Sequence, residues 1–261
     1  MIDDHDAAAG GEDRSVLTRA APEPDEVRMY GDDPDQLVEI YRGGTGAARR
    51  PVLCLVHGGF WRPAYDRTHL RPFASALRDE GRTVVSVEYR RVPGDPDAST
   101  TDIRAALALA AEVGGPIVVA GHSAGGHLAL WAAASGPPPG LVATVALAPV
   151  ADLVAARRAG LGDGAVAAFL GADPDTRPDL DPIRLGPIGS APTIVHGERD
   201  RIVPPDQARR YADAHPGTEV VVVPGAGHFA LIDPLSPAWP VVRSRLVDDP
   251  ATCLSRRPVS G

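Results

Sequence analysis

Lysine is absent from the 261 residues, and all 26 basic side chains are arginine. This excludes chemistry that needs a lysine amine: Schiff-base formation, a pyridoxal-phosphate anchor or the phosphate-binding lysine of a P-loop. Cysteine is nearly absent as well. The two present, Cys54 in an apolar run and Cys253 in a polar stretch, have neither CxxC nor metal-ligand spacing, so neither a disulfide nor a zinc site is expected. No apolar run approaches the ~20 residues of a membrane-spanning helix. The start of the chain also lacks the basic and apolar regions of a secretory signal, so a cytoplasmic protein with no membrane partner is expected.

The formal charge of -8 is unevenly placed. Residues 1–35 hold 11 acids against 3 arginines, which leaves 23 of each sign in the remainder. A nearly neutral body behind an acidic start argues against nucleic acid as a partner. Residues 1–30 read as a disordered or loosely attached leader, 31–247 as one folded domain and 248–261 as a polar tail.

From Gln36 onward, short β-branched runs alternate with alanine-rich helical patterns, which predicts an α/β fold with a mostly parallel central sheet and helices on both faces. The strand candidates are VLCLVH, TVVSVEY, PIVVAG, LVATVAL, PTIVHG and TEVVVVP, with QLVEIY as an antiparallel edge strand. Helical spacing marks Thr101 to Glu112, Ala124 to Ala134 and Pro205 to His215. Residues 150–190 break the rhythm. Rich in Asp, Pro and Gly, with a short helical piece near Val166 to Leu170, they read as an insertion over the strand ends, either a lid or a surface excursion.

Within PIVVAGHSAGGHLAL a buried strand runs into Gly121-His122-Ser123-Ala124-Gly125 and a helix follows at once. This is a G-x-S-x-G elbow in the strand-turn-helix setting it requires. Ser123 stands at the tip, and the Ala124 N–H lies at a helix N-terminus, where donors and dipole favour an oxyanion. A serine hydroxyl needs a base, and the base a third group to hold it. PTIVHGERD places Asp200 after one strand, and VVVVPGAGH places His228 after the next. Ser, Asp, His is the chain order of the α/β-hydrolase fold. Glu198 and Asp206 compete with Asp200 for the acid. His57, His122, His127, His196 and His215 compete with His228, the one that follows the last strand on a glycine-flanked loop. His57-Gly58-Gly59-Phe60-Trp61 closes another strand, and its paired glycines let backbone N–H groups approach a substrate oxygen.

HGGFW and GHSAGG together resemble the kynurenine formamidase (arylformamidase) branch of the α/β-hydrolases, close to the hormone-sensitive-lipase-like esterases, over most of residues 36–247. The resemblance implies Ser123, Asp200 and His228 as a catalytic triad and Gly58, Gly59 and Ala124 as the oxyanion hole. It implies an acyl-enzyme route on a small formyl or acetyl amide or ester, with no metal or organic cofactor. In the lipase-like branch a third glycine follows the pair. Here Phe60 stands there, so that Phe60 and Trp61 either stack on an aryl substrate or pack under the loop. A short-chain carboxylesterase or acetylesterase is the neighbouring reading, and a ligand-binding relative without turnover is the reading of another class. The expected assembly is a monomer or homodimer.

Overall fold

The computed structural model describes residues 11–44, 46–47 and 50–248. Eight strands form one sheet: β1 Glu26–Met29, β2 Leu37–Tyr41, β3 Val52–Val56, β4 Val84–Val87, β5 Ile117–His122, β6 Leu141–Leu147, β7 Thr193–Gly197 and β8 Glu219–Val223. Their spatial order is β1-β2-β4-β3-β5-β6-β7-β8. All pairings from β4 to β8 are parallel, while β2 runs antiparallel to both β1 and β4.

The central strands are continuous apolar runs because both faces of the sheet are covered. Every residue of β3 and β5 is buried. Successive side chains point to opposite faces. Val52, Cys54 and Val56 pack with Ile103, Leu107, Leu128 and Ala132 of α2 Pro96–Gly114 and α3 Ala124–Ser135. Leu53 and Leu55 pack with Phe73, Leu77, Val242 and Leu246 of α1 Arg71–Asp79 and α7 Trp239–Val247. No helix among the described residues is long and apolar enough to cross a membrane.

Two expectations need correction. QLVEIY is antiparallel but is not the edge strand, because β1 pairs along its outer side with Glu26 opposite Ile40 and Met29 opposite Leu37. The acidic leader is not loose over its described part. Val16 is buried in the core facing α1, and the acids of the segment find basic or backbone partners: Glu23 pairs with Arg71 at 2.6 Å, Asp25 accepts from Arg42 N at 2.6 Å and Glu26 pairs with Arg28 and Arg42. Apart from Glu26 with Arg28, these pairings join stretches 16 to 48 residues apart and are invisible to composition. Residues 1–10 and 249–261, Cys253 among them, lie outside the described residues.

Residues 150–190 contain no strand. They fold as α4 Leu153–Arg158, α5 Ala165–Leu170 and three short 3-10 turns, Pro174–Thr176, Pro178–Leu180 and Pro182–Arg184. The segment is tied down at several points. Ala151 N and Asp152 N both donate to Gln207 Oε1, Gly94 N donates to Ala168 O, and Arg177 pairs with Asp97 at 2.7 Å. Gln207 belongs to α6 Asp206–Ala214. Asp181 holds the middle: fully buried, it accepts from Leu153 N at 3.0 Å through Oδ1, while Oδ2 has no partner.

Burial pushes the Asp181 carboxyl up to about 6, and the Leu153 N–H offsets only part of that. The folded state therefore keeps a proton that the unfolded chain has lost between the ordinary carboxylate range and about pH 6. Stability must fall as pH rises through that window. Asp181→Asn, which cannot titrate, should lose this dependence. Denaturant unfolding at about pH 4 and about pH 7 should show the variant gaining on the wild type by up to about 3 kcal/mol at the higher pH. Parallel curves would mean that Asp181 titrates normally.

Candidate active site

The elbow is built by close approach of backbones. Strand β5 ends at His122, α3 begins at Ala124, and between them Ser123 takes φ 57° and ψ -119°, a strained conformation for a residue with a side chain. The turn is pinned by Ser123 N donating to Leu147 O at 2.8 Å and by Ser123 O accepting from His127 N at 3.1 Å. A Cβ on Gly121 would lie 2.0 Å from Gly125 O, and one on Gly125 would lie 2.1 Å from Val56 O. Both contacts are with backbone, which cannot swing aside. The Ala124 N–H, in the first turn of α3, has no intrahelical acceptor and points its partial positive charge toward the tip.

The loop after β3 lies against this elbow. A Cβ on Gly58 would come within 2.8 Å of His122 O and 2.9 Å of Ser123 Cβ. Gly59, Phe60 and Trp61 follow with φ of 107°, 51° and 55°, three successive residues in the left-handed region. Such a run persists only where its surroundings dictate it. His57 supplies much of that constraint. Its ring reaches Glu88 Oε1 through Nε2 at 2.9 Å and Gly58 O through Nδ1 at 2.8 Å, and it stacks on Tyr89 at 4.5 Å. Because C=O and N–H point opposite ways across a trans peptide, holding the Gly58 carbonyl turns the Gly59 N–H away from His57. Burial would raise Glu88, but the adjacent His57 and Arg91 and the Arg67 N–H outweigh it and hold the carboxyl well below the usual range.

Asp200 and His228 meet at the ends of β7 and β8. His228 Nδ1 lies 2.6 Å from Asp200 Oδ2, and Asp200 Oδ1 accepts from Ile202 N and Val203 N at 2.9 and 2.8 Å. Burial alone would raise Asp200. The His228 and His196 imidazoles overrule it and hold the carboxyl well below the ordinary range, so Asp200 is an anion at any working pH. The competing acids are elsewhere: Glu198 is exposed and accepts from Gly225 N, and Asp206 is exposed in the first turn of α6.

The other histidines have occupations of their own. His127 is buried in α3, directs Nε2 at Leu180 O at 2.8 Å, and is pushed down to about 4 by burial. His215 directs Nε2 at Ile183 O. His196 sits behind Asp200, with Nε2 2.8 Å from Val203 O and 3.5 Å from Asp200 Oδ2. His122 lies beside His228. Burial holds it neutral and well below its usual value, its Nε2 is 3.1 Å from His228 O, and its ring centroid is 4.4 Å from that of His228. In the sequence His122 stands only as a rival base. Its place next to Ser123 was the available signal that it would touch the same machinery.

The structure thus brings Ser123, Gly58 and Ala124 together at the elbow, and pairs Asp200 with His228. The Ser123 hydroxyl and the His228 ring are not hydrogen-bonded to each other. Contacts of that type often form only with substrate present. Trp61 is packed: its indole stacks on Phe169 of α5 at 4.5 Å and meets His127 edge-on at 5.1 Å, and only 3% of the residue is exposed. Phe60 is half-buried against Gly162. Of the two readings of Trp61, packing under the loop describes its ring.

If the elbow depends on backbone contact, Gly125→Ala should cost about 3 kcal/mol, because Val56 O and His57 O must both give way. Gly186→Ala, where a Cβ meets nothing within 4 Å, is the matched control and should leave Tm nearly unchanged. Equal melting temperatures for the two variants would refute the steric argument.

Residues 53–237 match the family model described as the alpha/beta hydrolase family. Esterase LipC of Mycobacterium tuberculosis is 28% identical over 240 residues, spanning 78% of this chain and 60% of LipC. From the same organism, the probable carboxylic ester hydrolase LipM is 38% identical over 98 residues, 34% of this chain and 22% of LipM. The chain therefore spans less than two thirds of either curated relative. Among solved structures, esterase B from Lactobacillus rhamnosis, inhibited by a tributyrin phosphonate, superposes with a TM-score of 0.71 at 20% identity, covering 87% of this chain and 86% of its own. That likeness is one of fold.

Proposed function

The chain belongs to the alpha/beta hydrolase family, and on that premise we propose that it is a serine hydrolase cleaving small acyl esters through an acyl-enzyme on Ser123. The observation that carries the reading is the 2.6 Å pair between Asp200 and His228, two residues from different loops beside the serine elbow. A buried, ionised carboxylate facing Nδ1 leaves Nε2 of the imidazole as the atom that exchanges protons.

In the proposed cycle His228 takes the proton of Ser123, and Oγ attacks the ester carbonyl. The oxyanion meets the N–H groups of Ala124 and of the Gly58-Gly59 segment, whose orientation is already fixed. His228 passes its proton to the leaving group, and the acyl-enzyme remains. Water then deacylates it with His228 again as base, while Asp200 holds the tautomer and stabilises the imidazolium. The residues named supply every step, so turnover should survive chelators.

Acyl size follows from the roof. The insertion 150–190 packs Phe169 on the buried Trp61 ring beneath the loop, and Phe60 of the same loop lies half-buried against Gly162 of that tied-down segment, so in this proposal it is Phe60 that narrows the acyl site. Such a site takes formyl or acetyl groups and loses transition-state binding with longer chains. The esterase names of LipC and esterase B support an ester substrate. The HGGFW loop supports a second reading, in which an aryl formamide is cleaved by the same route.

Ser123→Ala should abolish turnover of p-nitrophenyl acetate without unfolding the protein, and Asp200→Asn should lower kcat by about 10,000-fold through loss of the correct tautomer. Wild-type kcat/KM should be higher for the acetate than for the octanoate ester. Retained activity in Ser123→Ala would end the mechanism, a preference for octanoate would end the narrow-site argument, and an N-formyl aryl amine cleaved as fast as the acetate would favour the formamidase reading.

A further inference from the structure

Residues 12–19 touch the base-bearing loop at several points. Glu12 Oε2 accepts from His228 N at 2.8 Å, and its second oxygen, Oε1, accepts from Arg201 N at 3.2 Å, one residue past Asp200. One carboxylate thus bridges the two loops that carry the acid and the base. The fit is steric as well as polar, since a Cβ on Gly227 would lie 2.0 Å from Glu12 Oε2. Glycine at 227 is what lets the carboxylate reach the backbone there.

Three more contacts anchor the same segment. The Arg14 guanidinium lies 5.4 Å from the centre of the Phe229 ring. Val16, in the turn Ser15–Thr18, is buried in the core. Arg19 grips Asp233 with both terminal nitrogens, one of them at 2.9 Å, and Asp233 closes the 3-10 turn Phe229–Ile232 that starts after His228. Residues 227, 228, 229 and 233 are therefore each met by a residue between 12 and 19.

The consequence for His228 is specific. Its N–H is held by Glu12, its C=O lies 3.1 Å from His122 Nε2 and its Nδ1 is held by Asp200, which leaves Nε2 for the reaction. We infer that Glu12 is a positioning residue for His228, acting through the strap of residues 12–19, and that this segment is part of the working hydrolase. The inference rests on the reading of His228 as the base. An N–H held by a carboxylate from a distant segment restrains the backbone that carries the imidazole, and a misplacement of about 1 Å is enough to slow such a reaction by about 100-fold. The hydrogen bonds of Glu12 go to the backbone of His228 and Arg201 and not to Ser123 or the glycine loop, so its loss should affect turnover more than substrate binding.

The test compares the full chain with Glu12→Ala and Glu12→Gln, reading kcat and KM on p-nitrophenyl acetate, Tm, and hydrogen exchange of the 226–233 peptide by mass spectrometry. Glu12→Ala should lower kcat by about 10-fold with KM within about 2-fold and Tm nearly unchanged. Exchange at 226–233 should quicken. Glu12→Gln, which keeps one acceptor oxygen for two N–H donors, should fall between. Unchanged kcat in Glu12→Ala overturns the inference, and so does a fall in kcat matched by a general loss of Tm. Should the wild type lack Ser123-dependent turnover, the proposed function fails separately. The exchange measurement then decides alone: quickened exchange at 226–233 upholds the strap, and unaltered protection overturns it.

Discussion

The structure depends on a contact between backbones. At the elbow Gly125 sits on the Val56 and His57 carbonyls, Gly121 on the Gly125 carbonyl, and Gly58 on the His122 carbonyl and Ser123. Strand β3, strand β5 and helix α3 approach so closely there that side chains have no room. This crowding holds Ser123 in its left-handed conformation and lays the loop after β3 against it. The two loops that bear Asp200 and His228 repeat the device, with Gly197 against the Ala226 and Gly227 carbonyls. Glycine in these places is a requirement of distance.

Around that frame the buried charges are arranged so that each has an answer. With no lysine available, arginine does the pairing, and its fork lets one side chain serve several acceptors. Arg67 meets both Glu39 and Glu88, and Arg91 meets Glu88, the Tyr89 carbonyl and Asp35. The Glu88 cluster braces His57 and hence the glycine loop, while Asp200, answered by His196, His228 and two backbone N–H groups, braces the histidine loop. Asp181 is the exception: one of its oxygens has no partner, and its raised affinity for a proton is the physical result.

What could be read from the sequence follows from how local each signal is. Continuous apolar runs such as VLCLV and IVVAGH announce buried parallel strands, and G-x-S-x-G after one of them announces the elbow, because the turn and its steric demands occupy five adjacent residues. Asp200 and His228 were legible from their places after successive strands, and their pairing is the geometric outcome. What was not legible is long-range. β1 was hidden inside an acidic stretch whose charges are answered by Arg28, Arg42 and Arg71. Glu12 meets His228 across 216 residues, and nothing in either neighbourhood points to the other. Trp61 could be placed beside the elbow from HGGFW, but its burial against Phe169 depends on how residues 150–190 fold back.

The central claim is that Ser123 is a nucleophile activated by His228, and covalent trapping tests it most directly. The chain should be incubated with a fluorophosphonate, weighed intact and then cut after arginine, which places Ser123 in the peptide Ala105–Arg157. The expected result is one adduct per chain, located on Ser123 by fragmentation and strongly slowed in His228→Gln. A chain that stays unlabelled, an adduct on another residue, or labelling of Ser123 that does not need His228 would contradict it.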